Sequence, residues 1–214
     1  MTNTLTKLEL RGERIALVSD QASVIIIDIF NRLGCPHDIS RAITEHFIDA
    51  NLSGVESHGV MRVMQYAERM LNGTMRVDVR PKVITTKTGM TEVDGGMGCG
   101  IPARHLAFKT SMVLAEDSGL AALSILNTGH TGRHGAFAED AAEKGFLTIC
   151  MGGGNHRVHS QVAPHGGARG HASNQSLVYW HPGWGPGTSG DGFRYRQDSR
   201  RLDLRSPVCQ CTSP

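Results

Sequence analysis

The sequence predicts an α/β fold in which a group of N-terminal helices precedes a layer of alternating helices and strands. Two patterns lead to this class. Segments with helical periodicity and helix-ending glycines fill the chain up to Gly73. Beyond it, apolar runs of strand length alternate with further helices, which is typical of a sheet with at least two nearly parallel strands. The 39% hydrophobic and 20% charged content of the 214 residues suits a globular domain with a core.

Three helices are predicted in the N-terminal part. The first covers residues 19–32 and ends at Gly34, which is a common type of helix stop. The second runs from Asp38, a suitable N-cap, to about residue 50, with its apolar side chains on one face. The third is expected over residues 58–72.

The centre of the chain predicts the sheet. Two β-rich runs, 82–88 and 91–94, flank Gly89 and indicate a hairpin. A long helix over residues 101–117 then leads to an apolar strand over 120–126. A helix over 131–144 and a strand over 146–151 follow.

Charge and cysteine usage exclude several classes of protein. Lys and Arg total 22 against 20 acidic residues, so no basic surface indicates nucleic acid. No apolar run near the N-terminus is long enough for a signal peptide or membrane span. We therefore expect no membrane partner and a cytoplasmic location. The five cysteines are scattered without a CxxC pair, which favours reduced thiols over disulfides or zinc. No metal site is expected, since His156 and His159 have no nearby carboxylates.

His130 is the first candidate catalytic residue. It follows an apolar strand and precedes a helix, and catalytic groups often gather at the carboxyl end of a strand in α/β sheets. Histidine is also the natural proton carrier near neutral pH. The alternative is that His130 is an ordinary loop residue. His134, one helical turn further on, is a second candidate that is expected to face solvent.

Ser57, His58 and Arg62 form a second candidate group at a predicted helix start. Ser57 suits an N-cap, and an i, i+4 spacing would place His58 and Arg62 on one helix face. An arginine beside a histidine fits a carboxylate substrate, because the guanidinium grips the carboxylate while the imidazole contacts a neighbouring oxygen. A solvated Arg–His face is the alternative.

The glycine-rich stretches do not match a known nucleotide-binding loop. Neither residues 95–100 nor residues 152–155 form GxGxxG after a strand with an acidic residue downstream. A Walker A lysine motif is also missing from the sequence. Any nucleotide binding is therefore expected to be of a non-Rossmann kind.

Several motifs together resemble one enzyme family. They are, in chain order, "SHGVMRVMQY", "PKV…VDGGMGCG", "NTGHTGRHGAFAEDAAEKG" and "VAPHGG", between about Leu8 and Gly170. Their order and spacing are similar to those of the type-2 malate/L-lactate dehydrogenase family. The resemblance implies a non-Rossmann α/β fold with N-terminal helices and a mixed sheet. It also implies reduction of a 2-oxo acid or related imine with NAD or NADP as cofactor, and a homodimer for the intact enzyme.

The resemblance also assigns roles to single residues. His130 matches the family's catalytic histidine, which exchanges a proton with the substrate oxygen while hydride passes to or from nicotinamide. His58 matches a second acid/base or substrate contact. Arg62 matches the arginine that holds the carboxylate, with Ser57 beside it, and Gly154 matches a loop that touches the cofactor. The implied partner is thus a small carboxylate.

The tail over residues 171–214 departs from the family pattern. It contains no Lys, Glu, Ile or Met but both tryptophans. One permitted codon spelling of residues 171–176, read one base later, gives Met-Leu-Ala-Thr-Asn-Pro if the next base is C. A second stretch, "FRYRQDS", can become Phe-Asp-Thr-Gly-Lys-Thr-Ala in the same way. Both recovered stretches resemble family motifs, so a shifted reading frame is the leading interpretation and a genuine alternative C-terminus the other.

The sequence therefore predicts two regions of different kinds. Residues 1–170 would form the N-terminal part of a dehydrogenase-like domain, and residues 171–214 a disordered, aberrant tail. A fold that is incomplete at the C-terminus exposes sheet edges and apolar surface, so poor folding and little activity are expected. The alternative function is a non-catalytic protein that binds carboxylates or another protein.

Overall fold

The computed structural model describes residues 17–153, 166, 168–169, 175–182 and 196–197. The chain divides into two units, Met1–Asp78 and Val79–Pro214. Among the described residues, the first unit contains only helices, and the second contains two sheets and two helices. Helices and a mixed sheet are thus both present, which confirms the predicted class. No helix in these ranges is both long and apolar enough to cross a membrane.

The first unit packs three helices around aromatic side chains. Helix α1 spans Ser19–Arg32, as predicted, α2 spans His37–Leu52 and α3 spans Val63–Leu71. Phe47 of α2 lies at the centre, with ring centroids 6.4 Å from Phe30 and 5.0 Å from Tyr66. All three rings are fully buried. Such aromatic contacts add to the free energy gained by burying the side chains.

The third helix begins later than the sequence predicts. Two 3-10 turns, Glu56–His58 and Val60–Arg62, precede α3. Gly59 separates them with an extended backbone, φ −99° and ψ −147°. A Cβ at Gly59 would lie 1.8 Å from Oδ1 of Asn51, the oxygen that accepts the Val60 N–H at 2.7 Å. A side chain at Gly59 would displace the Asn51 amide and break this hydrogen bond, and the chain here forms two 3-10 turns where the apolar spacing predicts a helix.

The first sheet of the second unit is mixed. Strand β1 (Lys82–Thr85) pairs antiparallel with β2 (Thr91–Gly98), which confirms the predicted hairpin. Helix α4 (Gly100–Ser118) then connects β2 to β3 (Ser124–Thr128), which lies parallel to β2. Strand β3 is shorter than predicted, because the chain between the end of α4 and Ser124 is irregular.

The second sheet is antiparallel. Helix α5 (His134–Glu143) leads to β4 (Thr148–Gly153), which pairs with β5 (Gln175–Trp180). Strand β5 in turn pairs with the short β6, Arg196–Gln197. Strand β4 therefore lies in a different sheet from β3, so the parallel pair is β2 and β3. The core of this part contains Ala138, Cys150 and Val178.

Strand β5 lies in the segment for which the sequence predicted disorder. Over Gln175–Trp180 that prediction is wrong, since six residues pair in register with Thr148–Gly153. The cause is local composition, because Val, Tyr and Trp favour strands and Val178 is buried against Cys150. Most of the remaining tail lies outside the described residues.

Candidate active site

The loop that carries His130 lies at the carboxyl end of β3. Strand β3 ends at Thr128 and α5 begins at His134, so His130 lies between a strand and a helix, as predicted. The helix begins three residues later than expected. The N–H of Gly129 donates to the carbonyl oxygen of Gly98 at 2.9 Å, which ties the loop to the neighbouring parallel strand.

The glycine-rich segment 95–100 has a structural explanation. It ends β2 and begins α4, directly beside the His130 loop. A Cβ at Gly100 would lie 2.6 Å from the carbonyl oxygens of both Gly129 and His130. Only glycine therefore permits the first turn of α4 to touch the backbone of the loop.

The imidazole of His130 is partly buried, and its Nδ1 has a defined partner. The backbone N–H of Gly132 donates to Nδ1 at 3.3 Å. In the neutral ring, an accepting Nδ1 leaves the proton on Nε2. Nε2 is then the nitrogen that can donate a hydrogen bond to a substrate oxygen. In histidines generally, the hydrogen bond that one ring nitrogen makes decides which nitrogen carries the proton.

Asp94 and Asn127 hold the strand ends next to this loop. The Oδ1 atom of Asp94 accepts the N–H of Gly96 at 2.9 Å and Nδ2 of Asn127 at 3.2 Å. These two hydrogen bonds, the first being the stronger influence, hold the pKa of Asp94 below its usual value. Asn127 itself has a left-handed backbone, φ +50°, which asparagine tolerates better than most residues. The sequence analysis missed this pair, although "VDGG" and "NTG" both contain turn-forming residues.

Arg133 is a buried arginine that the sequence analysis also missed. It precedes α5, and its Nη1 and Nη2 atoms each lie 2.9 Å from one carboxylate oxygen of Glu139. The Arg133 side chain is only 10% exposed and that of Glu139 is 36% exposed. The loop that carries His130 therefore ends in a bidentate ion pair with the second turn of α5.

His134 does not face solvent as expected. Its ring is partly buried, and a Cβ at Gly152 of β4 would lie 2.8 Å from its Cε1 atom. Its Nε2 also lies 3.4 Å from the hydroxyl of Thr131. The absence of a side chain at Gly152 makes this contact possible. Because Gly152 is distant from His134 in the sequence, the residues around His134 could not have predicted it.

The structure brings Ser57, His58 and Arg62 together, but not in the predicted way. Ser57 Oγ hydrogen-bonds to Nδ1 of His58 at 3.0 Å. Arg62 Nε donates to the Ser57 carbonyl oxygen at 2.6 Å, and its Nη1 donates to Gln65 at 2.7 Å. Ser57 is not the N-cap of α3, because that position belongs to Arg62. The prediction that His58 and Arg62 share one helix face is also wrong, because they lie in two different 3-10 turns that Gly59 separates.

A second buried arginine, Arg104, lies on the first turns of α4. It is 3% exposed, and its Nη2 donates to Sγ of Cys150 at 2.9 Å. Its guanidinium carbon also lies 5.3 Å from the ring centroid of Phe137. Burial lowers the pKa of Arg104 and raises that of the Cys150 thiol, although the nearby cation partly opposes the second effect. Its Nε and Nη1 have no hydrogen-bond partner among the residues described.

Gly154, His156 and His159 lie outside the described residues. The Ser57 group belongs to the first unit and the His130 loop to the second. In the described ranges, no three His, Cys, Asp or Glu side chains cluster as they would around a metal ion. Among the described residues, Cys35, Cys99 and Cys150 form no disulfide.

Comparisons with known proteins agree on one family. The family profile described as malate/L-lactate dehydrogenase matches residues 18–187. A malate dehydrogenase of Pyrococcus abyssi is 30% identical over 153 residues, which are 72% of this chain and 41% of the relative. A 2,3-diketo-L-gulonate reductase of Escherichia coli is 31% identical over 125 residues, 56% of this chain and 38% of the relative.

A solved structure gives the same result for the fold. The malate dehydrogenase of Pyrococcus horikoshii OT3 aligns with a TM-score of 0.67 and 27% identity, over 77% of this chain and 47% of its own. The chain thus spans roughly two fifths of the length of the curated relatives it matches and just under half of this solved structure. Because the profile covers most of the sequence, the chain belongs to the malate/L-lactate dehydrogenase family.

Proposed function

We propose that this chain derives from an NAD- or NADP-dependent oxidoreductase that transfers a hydride between the cofactor and a small 2-hydroxy or 2-oxo acid. The observation that supports the proposal most is the setting of His130. Its ring lies in a loop at the carboxyl end of β3, with Nδ1 accepting the Gly132 N–H. Nε2 is then the atom that donates a hydrogen bond to the substrate oxygen. It passes a proton to that oxygen from the imidazolium form, in which Nδ1 is also protonated and no longer accepts the Gly132 N–H, and takes it back in the reverse direction.

Arg62 is the proposed carboxylate-binding residue, with Ser57 and His58 beside it. A guanidinium carries five N–H donors, and the contacts to Ser57 and Gln65 use two of them. The remaining donors suit a carboxylate, which arginine binds by two parallel hydrogen bonds. Ser57 hydrogen-bonds to Nδ1 of His58, which orients the imidazole that is proposed to contact the substrate.

A nicotinamide cofactor fits the edge of the sheet where His130 lies. The hydroxyl of Thr128, at the end of β3, is buried without a hydrogen-bond partner among the described residues. Such an atom lowers stability unless a ligand or a loop movement supplies a partner. Thr128 is therefore a candidate to bind the amide of nicotinamide, together with the predicted contact at Gly154. The cofactor, when bound, accepts or donates the hydride.

We further propose that the reading frame changes near Gly170, although the family profile matches residues 18–187 and so extends beyond that point. The 214-residue chain then has little dehydrogenase activity, because much of the cofactor pocket would come from the other frame. The frame-restored enzyme would act as a cytoplasmic homodimer.

The test compares the 214-residue chain with a frame-restored chain. NADH and NADPH are titrated by fluorescence, and turnover is measured with malate, lactate, ureidoglycolate and a cyclic imine in the matching direction. We expect cofactor binding and turnover in the restored chain, and a loss of about 10²–10⁴-fold in kcat for its His130→Gln variant. Cofactor binding by neither chain would contradict the proposal and support a non-catalytic carboxylate-binding protein.

A further inference from the structure

We propose that Arg133 is a positioning residue, whose ion pair with Glu139 fixes the loop that carries His130. The inference rests on the proposed function, in which His130 exchanges the proton. Arg133 is the last residue before α5, and both terminal nitrogens of its guanidinium lie 2.9 Å from the Glu139 carboxylate. The pair therefore joins the end of the loop to the second turn of the helix.

Helix stability alone does not explain an arginine at this position. A cation at a helix N-terminus opposes the helix dipole, whose positive end lies there. Burying a guanidinium also carries a desolvation penalty, which the ion pair offsets only if its geometry is good. Here the side chain of Arg133 is 10% exposed and the contact is bidentate. Buried pairs of this kind can often be replaced by apolar residues, and a well-attested role for them is to specify one arrangement.

The loop conformation that the Arg133–Glu139 ion pair specifies includes the position of His130. Gly132, the neighbour of Arg133, donates the N–H that His130 accepts on Nδ1, at the long distance of 3.3 Å. At the other end of the loop, the Gly129 N–H donates to Gly98 at 2.9 Å. Because the contact to Nδ1 is long, its geometry depends on how firmly both ends of the loop are held. Release of Arg133 would move the Gly132 N–H away from the ring.

The experiment measures the loop directly in the full 214-residue chain. Arg133→Met and Glu139→Gln are compared with wild type by hydrogen–deuterium exchange of residues 129–134. The titration of the His130 ring is followed by NMR, with His130→Gln to assign its signal. Lys144→Met is the matched control, because it breaks an exposed ion pair with Asp140 near the other end of the same helix. Arg133→Lys keeps the charge but removes the bidentate contact.

We expect exchange in the loop to become about tenfold faster or more in Arg133→Met and Arg133→Lys, as loss of one charge-assisted hydrogen bond implies. The His130 titration should shift in the same variants and stay unchanged in Lys144→Met. If Arg133→Met does not fold, Glu139→Gln decides the question, since it retains one hydrogen bond to the arginine. Unchanged loop exchange and an unchanged titration would overturn the inference, even if the melting temperature fell, and so would equal effects in Lys144→Met.

These readouts need neither substrate nor cofactor. A frame-restored chain without turnover would contradict the proposed function while leaving the loop measurements valid. Where turnover is found, Arg133→Met should lower kcat and change KM little, because the pair acts through His130 and not through substrate binding.

Discussion

Replacement of Arg104 by methionine should stabilise the protein. Arg104 is 3% exposed, and two of its three nitrogens have no hydrogen-bond partner among the described residues. Its contacts are the Cys150 sulfur at 2.9 Å and the ring of Phe137 at 5.3 Å. The thiol is a weak acceptor, and burial raises its pKa, so it is protonated at neutral pH and does not compensate the charge.

The expected change in the free energy of unfolding follows from these contacts of Arg104. Each buried donor without a partner costs about 1–3 kcal/mol, and both costs disappear with the guanidinium. The cation–π contact to Phe137, worth about 0.5–2 kcal/mol, is lost with the charge. Methionine fills much of the same space and can contact the Phe137 ring through its sulfur. We expect the free energy of unfolding to rise by about 1–2 kcal/mol, within the range seen when buried ions are replaced by apolar residues.

Urea unfolding measures this change. Trp180 packs against the cluster that contains Cys150, so its fluorescence reports on this region, and Trp184→Phe removes the second signal. The midpoint should rise with an unchanged m-value, and the melting temperature by about 2–8 °C. Arg133→Met is the contrasting variant: it leaves the Glu139 carboxylate without its partner and should lose about 1–3 kcal/mol. A loss of stability of more than about 1 kcal/mol in Arg104→Met would refute the reasoning, because it would mean that the guanidinium is well paired.

Three further substitutions test other contacts. Asn127→Ala should lower the free energy of unfolding by about 1–2 kcal/mol. Asn127→Gly should lower it by less, because glycine adopts the φ of +50° at this position more easily than alanine does. Equal losses for the two variants in urea unfolding would show that the hydrogen bond to Asp94 decides the stability instead. Arg62→Met in a frame-restored chain should raise KM for a 2-oxo acid about 10- to 100-fold with a smaller change in kcat, and an unchanged KM would exclude Arg62 from carboxylate binding. Gly59→Ala should cost about 1–3 kcal/mol because its Cβ would lie 1.8 Å from Oδ1 of Asn51; a melting temperature equal to wild type would contradict the close approach.

The sequence predicted those features of the fold that depend on local periodicity. The bounds of α1 agree, the β1–β2 hairpin is present, and a strand, a loop with His130 and a helix follow in the expected order, although the strand and helix bounds are shifted. Each is encoded by residues close in the chain, such as Gly34 and Gly89, which have the positive φ that turns and helix ends require.

Features that depend on distant contacts could not be predicted in this way. The 3-10 turns before α3 result from the contact of Gly59 with Asn51. The approach of His134 to Gly152 and the hydrogen bond from Arg104 to Cys150 join residues from different elements. Of the candidate site, the identities of the histidines could be proposed from motifs. The hydrogen bonds that Nδ1 of His58 and Nδ1 of His130 make required the structure.

Strand β5 does not conflict with a change of reading frame near Gly170. The run "QSLVYW" contains three residues with high strand propensity, and it lies beside β4, whose backbone groups would otherwise lack partners on that edge. A run of this composition pairs with an available strand whether or not it was selected to do so. Pairing leaves Ile149, Met151 and Leu177 exposed on the outer face of the sheet, at 60%, 76% and 42%. An apolar face of this kind is a typical binding surface or an aggregation hazard. We therefore expect the coding sequence, read one base later across codon 171 and beyond, to continue with the family's motifs. Frame restoration should lower the binding of a hydrophobic dye to the protein, whereas equal dye binding by both chains would mean that the other frame does not cover this face.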